Sequence, residues 1–238
     1  MDKITVIVPH YNHNDYLYDS LVSVINQDYE NLDIIVIDDA SDVYPMHIVN
    51  EVATMGRSVE TYQMKQNQGK WFCLNHAILK KPETNWFMIH DADDIAYPWK
   101  ASLQIAQSKL TNSLLNLVVY DELNDGQQIV IPQKPDLLKT DTITGVIPIR
   151  AAIDSIENSK IRHYKTQDYR LHNGAALFHR KIFDYGCRFN PPEKYLRVAM
   201  SEDSDFNIRA TLAFRKTSWS LERCYAYRLD SGHPEGSF

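Results

Sequence analysis

The chain has 238 residues, 44% of them hydrophobic, and carries Asp+Glu 31 against Lys+Arg 25, a formal net charge of −6. That length and apolar content suit one large α/β core, and we expect a single domain over 1–238. The acidic balance excludes a chain acting as a whole as a nucleic-acid coat or a polybasic membrane binder, although a local basic patch stays open. Three scattered cysteines, Cys73, Cys187 and Cys224, fit neither a disulfide framework nor a zinc knuckle. No apolar run approaches the ~20 residues of a spanning helix, and Pro9 interrupts the first apolar run too early for a signal peptide. A reducing, cytoplasmic setting is expected.

Ile4 to Val8 is a β-branched run closed by Pro9, the pattern of a strand buried on both faces of a parallel sheet. Leu17, Leu21, Val24 and Ile25 then recur at helical spacing behind Asn14, a candidate N-cap, which predicts a helix near 15–28. Ile34 to Ile37 is the next strand, Ile48, Val49 and Val52 mark a short helix, and Val59 to Met64 is a third strand. Gly69 sets the start of a helix over Trp71 to Leu79, and Trp86 to Ile89 is the fourth strand. Strands alternating with helices at this interval predict a Rossmann-like, mostly parallel sheet flanked by helices, with ligands at the carboxyl ends of the strands.

Beyond Pro98, Leu103, Ala106 and Leu110 indicate a helix and Leu117 to Tyr120 a strand. Asp125-Gly126 followed by Ile129-Val130-Ile131 suggests a hairpin. From Pro132 to about Asn173 long apolar runs are few, which marks an irregular binding region. Ser201 is a candidate cap for a helix bearing Phe206, Ile208, Ala210, Leu212 and Phe214.

The polar residues gather where strands end. Pro9-His10-Tyr11-Asn12, Asp38-Asp39, Gln66-Asn67 and Asp91-Ala92-Asp93-Asp94 each follow a strand, so four loops can share one crevice. Three carboxylates within four positions repel one another unless protonated, solvated or held by a cation, and hard oxygen ligands suit Mg²⁺ or Mn²⁺. A solvated turn leading to Pro98 is the structural alternative. Asp38 and Asp39 can accept hydrogen bonds from a nucleobase or ribose, or simply form a turn. Glu202-Asp203 can supply a general base, and equally can be favoured by the helix dipole. No Gly-x-Gly-x-x-Gly or Walker sequence follows the first strand, which removes the main support for hydride transfer and P-loop chemistry.

Taken in order, Thr5 to Asn12, Ile37 to Ser41, Asn67-x-Gly69, Asp91 to Asp94, Glu202-Asp203 and Tyr227-Arg228 make the chain resemble the inverting family 2 glycosyltransferases with the GT-A (nucleotide-diphospho-sugar transferase) fold. The resemblance is dense over 4–98 and thins to short anchors afterwards. It implies a nucleotide-sugar-binding half, 1–98, and an acceptor-binding and catalytic-base half, 99–238. It further implies that Pro9, Tyr11 and Asp39 hold the nucleobase and that Asp91 with Asp93 serves ribose, diphosphate and a divalent cation, Mn²⁺ or Mg²⁺. Asp203 would be the base.

Two departures alter the pattern. Cys73-Leu74-Asn75 stands where many relatives have Ala-Arg-Asn, leaving Lys70 beside Asn67 as a substitute cation for the donor. Asp230 stands where a His tends to follow the Tyr-Arg pair, so Arg228 becomes a candidate diphosphate contact and His233 a candidate metal ligand. The basic segment 160–181, with Lys160, Arg162, His163, Lys165, Arg170, His172, Arg180 and Lys181, is compatible with an anionic acceptor or with a solvated face. A saccharide or lipid-linked glycan is the default acceptor. The alternatives are a transferase acting on hydroxylated bases of phage DNA and a non-catalytic nucleotide-sugar-binding protein.

Overall fold

The computed structural model describes residues 1–124, 126–137, 142–144, 173–196 and 201–229. Its first half alternates as expected: β1 (Ile4–His10), α1 (Asn14–Ile25), β2 (Leu32–Asp38), α2 (Met46–Ala53), β3 (Val59–Gln63), α3 (Lys70–Lys80) and β4 (Trp86–Ile89). Then follow β5 (Ile95–Ala96), α4 (Lys100–Thr111), β6 (Leu115–Leu123), β7 (Thr142–Thr144), β8 (Ala176–His179), α5 (Arg180–Asp184), α6 (Glu202–Phe214) and β9 (Thr217–Arg228). The sheet runs β3-β2-β1-β4-β8-β6-β9-β5, with β7 added on β9. β3, β2, β1 and β4 are parallel, which is the expected mostly parallel centre. β8 joins β4 and β6 by antiparallel pairing, and β6 and β9 are parallel again.

Every residue of β1 is buried, because helices cover both sheet faces. Ile4, Val6 and Val8 pack with Leu17, Leu21, Val24, Ile48 and Ile105 on one face. Ile7, Ile35 and Ile37 pack with Leu74, Ala77, Ile78, Phe206 and Ala210 on the other. Burying a Val, Ile or Leu stabilises by roughly 1.5–3 kcal/mol per side chain, so this period-two division fixes the strand register and the height at which each loop leaves the sheet.

Several expectations are corrected. Asn14 is the first helical residue of α1 and not its cap; His13 holds the cap position without a side-chain cap, while Asn14 Nδ2 donates to Val43 O at 3.1 Å. α1 ends at Ile25, not near residue 28, and Gln27 bridges outward, donating to Tyr97 O at 2.8 Å and accepting from Ala101 N at 3.0 Å. The hairpin at 129–131 does not form: these residues lie in no strand, and Val130 is 85% exposed. Ser201 sits at the start of α6 in an extended conformation, but its hydroxyl does not cap the helix.

Four strands lie outside the sequence expectations: β5, β7 and β8 are only two, three and four residues, and β9 hides its interior under polar letters. Ser218 and Ser220 are fully buried, and Asn116 Nδ2 donates to Ser218 Oγ at 2.8 Å. Hydrogen-bonded pairs of this kind let polar residues occupy a core that hydropathy assigns to apolar ones.

Candidate functional site

The carboxyl ends of β1, β2 and β4, the turn before α3, and the start of α6 enclose a cleft of about 270 Å³. Pro9, His10, Tyr11 and His13 come from β1 and the loop after it, Asp39 from the loop after β2, and Asn67, Gly69, Lys70 and Cys73 from the α3 start. Asp91, Ala92 and Asp93 come from the loop after β4, Ser201, Glu202 and Asp203 from α6, and Tyr227 from β9.

The two aspartates ending β2 have separate jobs. Asp38 is fully buried and holds the turn, accepting from Ser41 N at 3.2 Å and Ser41 Oγ at 2.5 Å and meeting His10 Nδ1 at 2.9 Å. This resolves Asp38 in favour of turn formation. The Asp39 carboxylate accepts from Gln68 N at 3.0 Å and Gly69 N at 2.7 Å, tying the β2 loop to the α3 start. Gly69 has φ +90°, a conformation open to glycine, and thereby turns Lys70 into the cleft.

The acidic loop is pinned from three sides. Asp94 N closes a turn on Asp91 O at 3.2 Å, and Ser20 Oγ on α1 donates to the same carbonyl at 3.0 Å. Arg228 N donates to Asp94 Oδ1 and Arg228 Nε to Asp93 O, both at 3.0 Å, while its guanidinium lies 4.5 Å from the Tyr16 ring centroid. Arg228 therefore shapes the loop from behind, and it is not among the cleft-lining residues. His13 Nδ1 stands 3.9 Å from Asp93 Oδ2.

Lys70 links the two acidic elements, with Nζ 2.6 Å from Asp91 Oδ1 and 3.5 Å from Glu202 Oε1. Burial disfavours its charge, but Asp91, Glu202 and Asp203 outweigh burial and hold the ammonium well above the usual lysine range. Asp203 is 7% exposed and burial raises its pKa, opposed by Lys70 and by donors from Ser201 and Ser204, the latter through Ser204 N at 2.7 Å. The α6 dipole also favours a carboxylate in this first turn. Asp205, fully buried two residues on, accepts from Leu196 N at 2.9 Å and Arg209 Nη2 at 2.6 Å. Phe206 stacks on Phe189 at 4.0 Å. These contacts set the position of the α6 start, and of Asp203 with it.

Pro9, Tyr11, Asp39, Asn67, Lys70, Asp91, Asp93 and Asp203 thus meet in one cleft. His233 lies outside the described residues, as do residues 160–172 of the basic segment. Arg180 and Lys181, within the described part, follow the β8 residue that pairs with Trp86 at the amino end of β4, away from the cleft. Arg180 donates there to Lys81 O at 2.8 Å. His13 is a cleft residue that the sequence patterns do not single out; it adjoins the quoted motif, but only distance shows that it reaches Asp93.

The donor set suits a hard divalent cation. Asp91 and Asp93 offer carboxylate oxygens, and Mg²⁺-type sites use one or two carboxylates completed by substrate phosphates. Among the described residues no three His, Cys, Asp or Glu side chains form a cage by themselves. Among the same residues, no helix is long and apolar enough to cross a membrane.

Comparison with known proteins agrees with this geometry. An uncharacterized glycosyltransferase of Haemophilus influenzae is 38% identical over 95 residues, covering 40% of this chain and 29% of that protein. The chain thus spans less than a third of that curated relative's length. S. aureus TarS 1–349 in complex with UDP superposes with a TM-score of 0.68 at 22% identity, over 95% of this chain and 60% of that one. The mannosyltransferase PcManGT of Pyrobaculum calidifontis, in complex with GDP-Man and Mn²⁺, gives 0.60 at 18% identity over 99% and 58%. The GT-A fold is shared with both. The model of Glycosyl transferase family 2 matches residues 5–186, and the chain belongs to that family.

Proposed function

We propose that the chain is a metal-dependent, inverting glycosyltransferase that moves a sugar from a nucleoside-diphosphate sugar to an acceptor hydroxyl, with a saccharide or lipid-linked glycan as acceptor, in the cytoplasm. The observation that carries the reading is the set of groups gathered in one cleft. Tyr11, Asp39 and Asn67 come from the loops after β1, β2 and β3, Asp91 and Asp93 from the loop after β4, and Asp203 from α6, far along the chain. The fold relatives TarS and PcManGT are seen in complex with UDP and with GDP-Man and Mn²⁺ respectively. Residues 1–98 then supply the donor site and 99–238 the base and acceptor side.

In this reading Pro9 and Tyr11 flank the nucleobase and Asp39 accepts from it. Lys70 is the cation beside the diphosphate. Asp91 and Asp93 would hold Mn²⁺ or Mg²⁺, which supplies neutralisation of the charge developing on the leaving diphosphate. The acceptor hydroxyl gives its proton to the Asp203 carboxylate as its oxygen bonds to the anomeric carbon. The bond from that carbon to the diphosphate oxygen breaks, and its electron pair leaves with the nucleoside diphosphate. Attack opposite the leaving group inverts the anomeric centre. His13, beside Asp93, orients that carboxylate.

A donor screen tests the class directly. The protein is incubated with Mn²⁺ and a panel of UDP-, GDP-, CDP- and dTDP-sugars, and release of nucleoside diphosphate is followed. Slow, Mn²⁺-stimulated turnover of one donor class is expected. No turnover of any donor, with thermal stabilisation by a nucleoside diphosphate intact, would instead fit a binding protein without catalysis.

A further inference from the structure

His13 holds the cap position of α1, but its side chain makes no cap hydrogen bond and lines the cleft instead. Its Nδ1 stands 3.9 Å from Asp93 Oδ2, with the two side chains 11% and 12% exposed. That separation is too long for a hydrogen bond, whose N···O distance is about 2.7–3.2 Å. It suits two atoms that share a cation. Donors at ~2.1 Å from one octahedral ion stand about 3.0 Å apart when adjacent and about 4.2 Å apart when opposite, and the observed spacing lies between.

Both members of the pair are held from behind. The His13 ring meets Tyr16, one turn along α1, edge-on at 6.1 Å between centroids, and the Arg228 guanidinium lies 4.5 Å from the centroid of the same Tyr16 ring. Arg228 Nε in turn donates to Asp93 O at 3.0 Å, so a closed circuit runs from His13 through Tyr16 and Arg228 to Asp93. Outer contacts of this kind orient the ligands of metal centres. Asp91 is placed differently, because Lys70 Nζ already stands 2.6 Å from its Oδ1. Asp93 has an imidazole beside it where Asp91 has an ammonium.

We propose that His13 is a nitrogen ligand of the divalent cation, paired with Asp93, with the donor diphosphate and water supplying the other positions. The role rests on the metal reading of the acidic loop and narrows it. Carboxylate and water suit Mg²⁺, whereas an imidazole nitrogen favours later transition ions. The site should therefore prefer Co²⁺ to Mg²⁺, with His13 the source of that preference.

The test loads the full chain with Mn²⁺ and UDP or GDP and records pulsed electron paramagnetic resonance for wild type, His13→Asn and His233→Ala, the last removing the other histidine considered for this site. Asn is favoured at a helix cap, so His13→Asn should fold, which its thermal midpoint checks. Wild type and His233→Ala should show nitrogen coupling to Mn²⁺, and His13→Asn should lose it. The gain in nucleotide affinity on adding Co²⁺, relative to the gain with Mg²⁺, should also fall roughly 10-fold in His13→Asn, with metal-free affinity kept. Coupling retained in folded His13→Asn, or an unchanged Co²⁺ to Mg²⁺ ratio, overturns the assignment. Mn²⁺ enhancement of nucleotide binding in wild type without nitrogen coupling also overturns it, and leaves the metal reading standing. If His13→Asn does not fold, His233→Ala decides: retained coupling supports His13 and lost coupling overturns it. Absence of enhancement by any of the three ions in the unaltered protein overturns the metal reading, and the ligand with it.

Discussion

Asp203 is subject to opposing pulls: burial favours its protonated form, and Lys70 with the Ser201 and Ser204 donors favours the ionised one. The net displacement is upward, so the acid side of the turnover profile should fall at a pH above the ordinary aspartate value of 3.8. Lys70→Met removes the largest opposing influence and should move that limb to still higher pH. A pH profile of kcat at saturating donor checks both, and an unmoved limb in the variant would show that Lys70 does not act on Asp203. At the acidic loop, the proposed metal role predicts that Asp93→Ala weakens Mn²⁺-dependent nucleotide binding roughly 10-fold or more, measured by calorimetry. Asp91 and Asp93 were legible in the sequence because clustered carboxylates beside a buried apolar run are chemically out of place, whereas Asp203 stood out only through the family resemblance. Asp38 was not assignable, since only the Ser41 and His10 contacts separate a turn from a ligand contact. Lys70 was legible as a cation but not as the link between Asp91 and Glu202, a fact of distance.

Among the elements, the α3 start has the clearest backbone requirement. Gly69 adopts φ +90°, and a Cβ there would meet Trp71 Cδ1 at 3.2 Å. Gly69→Ala should therefore destabilise the chain by about 1–3 kcal/mol, read from the denaturant midpoint, and should weaken nucleotide binding because Asp39 holds this turn through Gly69 N. An unchanged midpoint would contradict a strained requirement at this position. β1 to β4 with their helices were readable because each strand is a short β-branched or aromatic run between polar loops. α1 was misread at both ends: Asn14 donates to distant Val43 O, and Gln27, beyond the last helical residue, divides its amide between Ser23 O of the helix and distant Tyr97 O. β9 was unreadable by hydropathy: its buried Ser218 and Ser220 are acceptable only opposite Asn116 and its neighbours on β6.

For the molecule as a whole, local patterning determines a parallel half-sheet with polar loops at one end, and long-range pairing determines what faces it. β8 inserts between β4 and β6, and α6 packs Phe206 against Phe178 and Phe189, which brings Asp203 opposite the strand-end loops. The shared cleft was inferable from four loops at equivalent strand ends. The fifth contributor, α6, was inferable only by resemblance. Division of labour across the cleft is the central claim, and Asp203→Asn tests it most directly. Nucleoside diphosphate affinity with Mn²⁺ and turnover of the donor identified by screening are measured side by side for wild type and variant. The account predicts loss of turnover with affinity held within about twofold, as expected for a group that acts only on the acceptor proton. Retained turnover, or an equal loss of donor affinity, would contradict it.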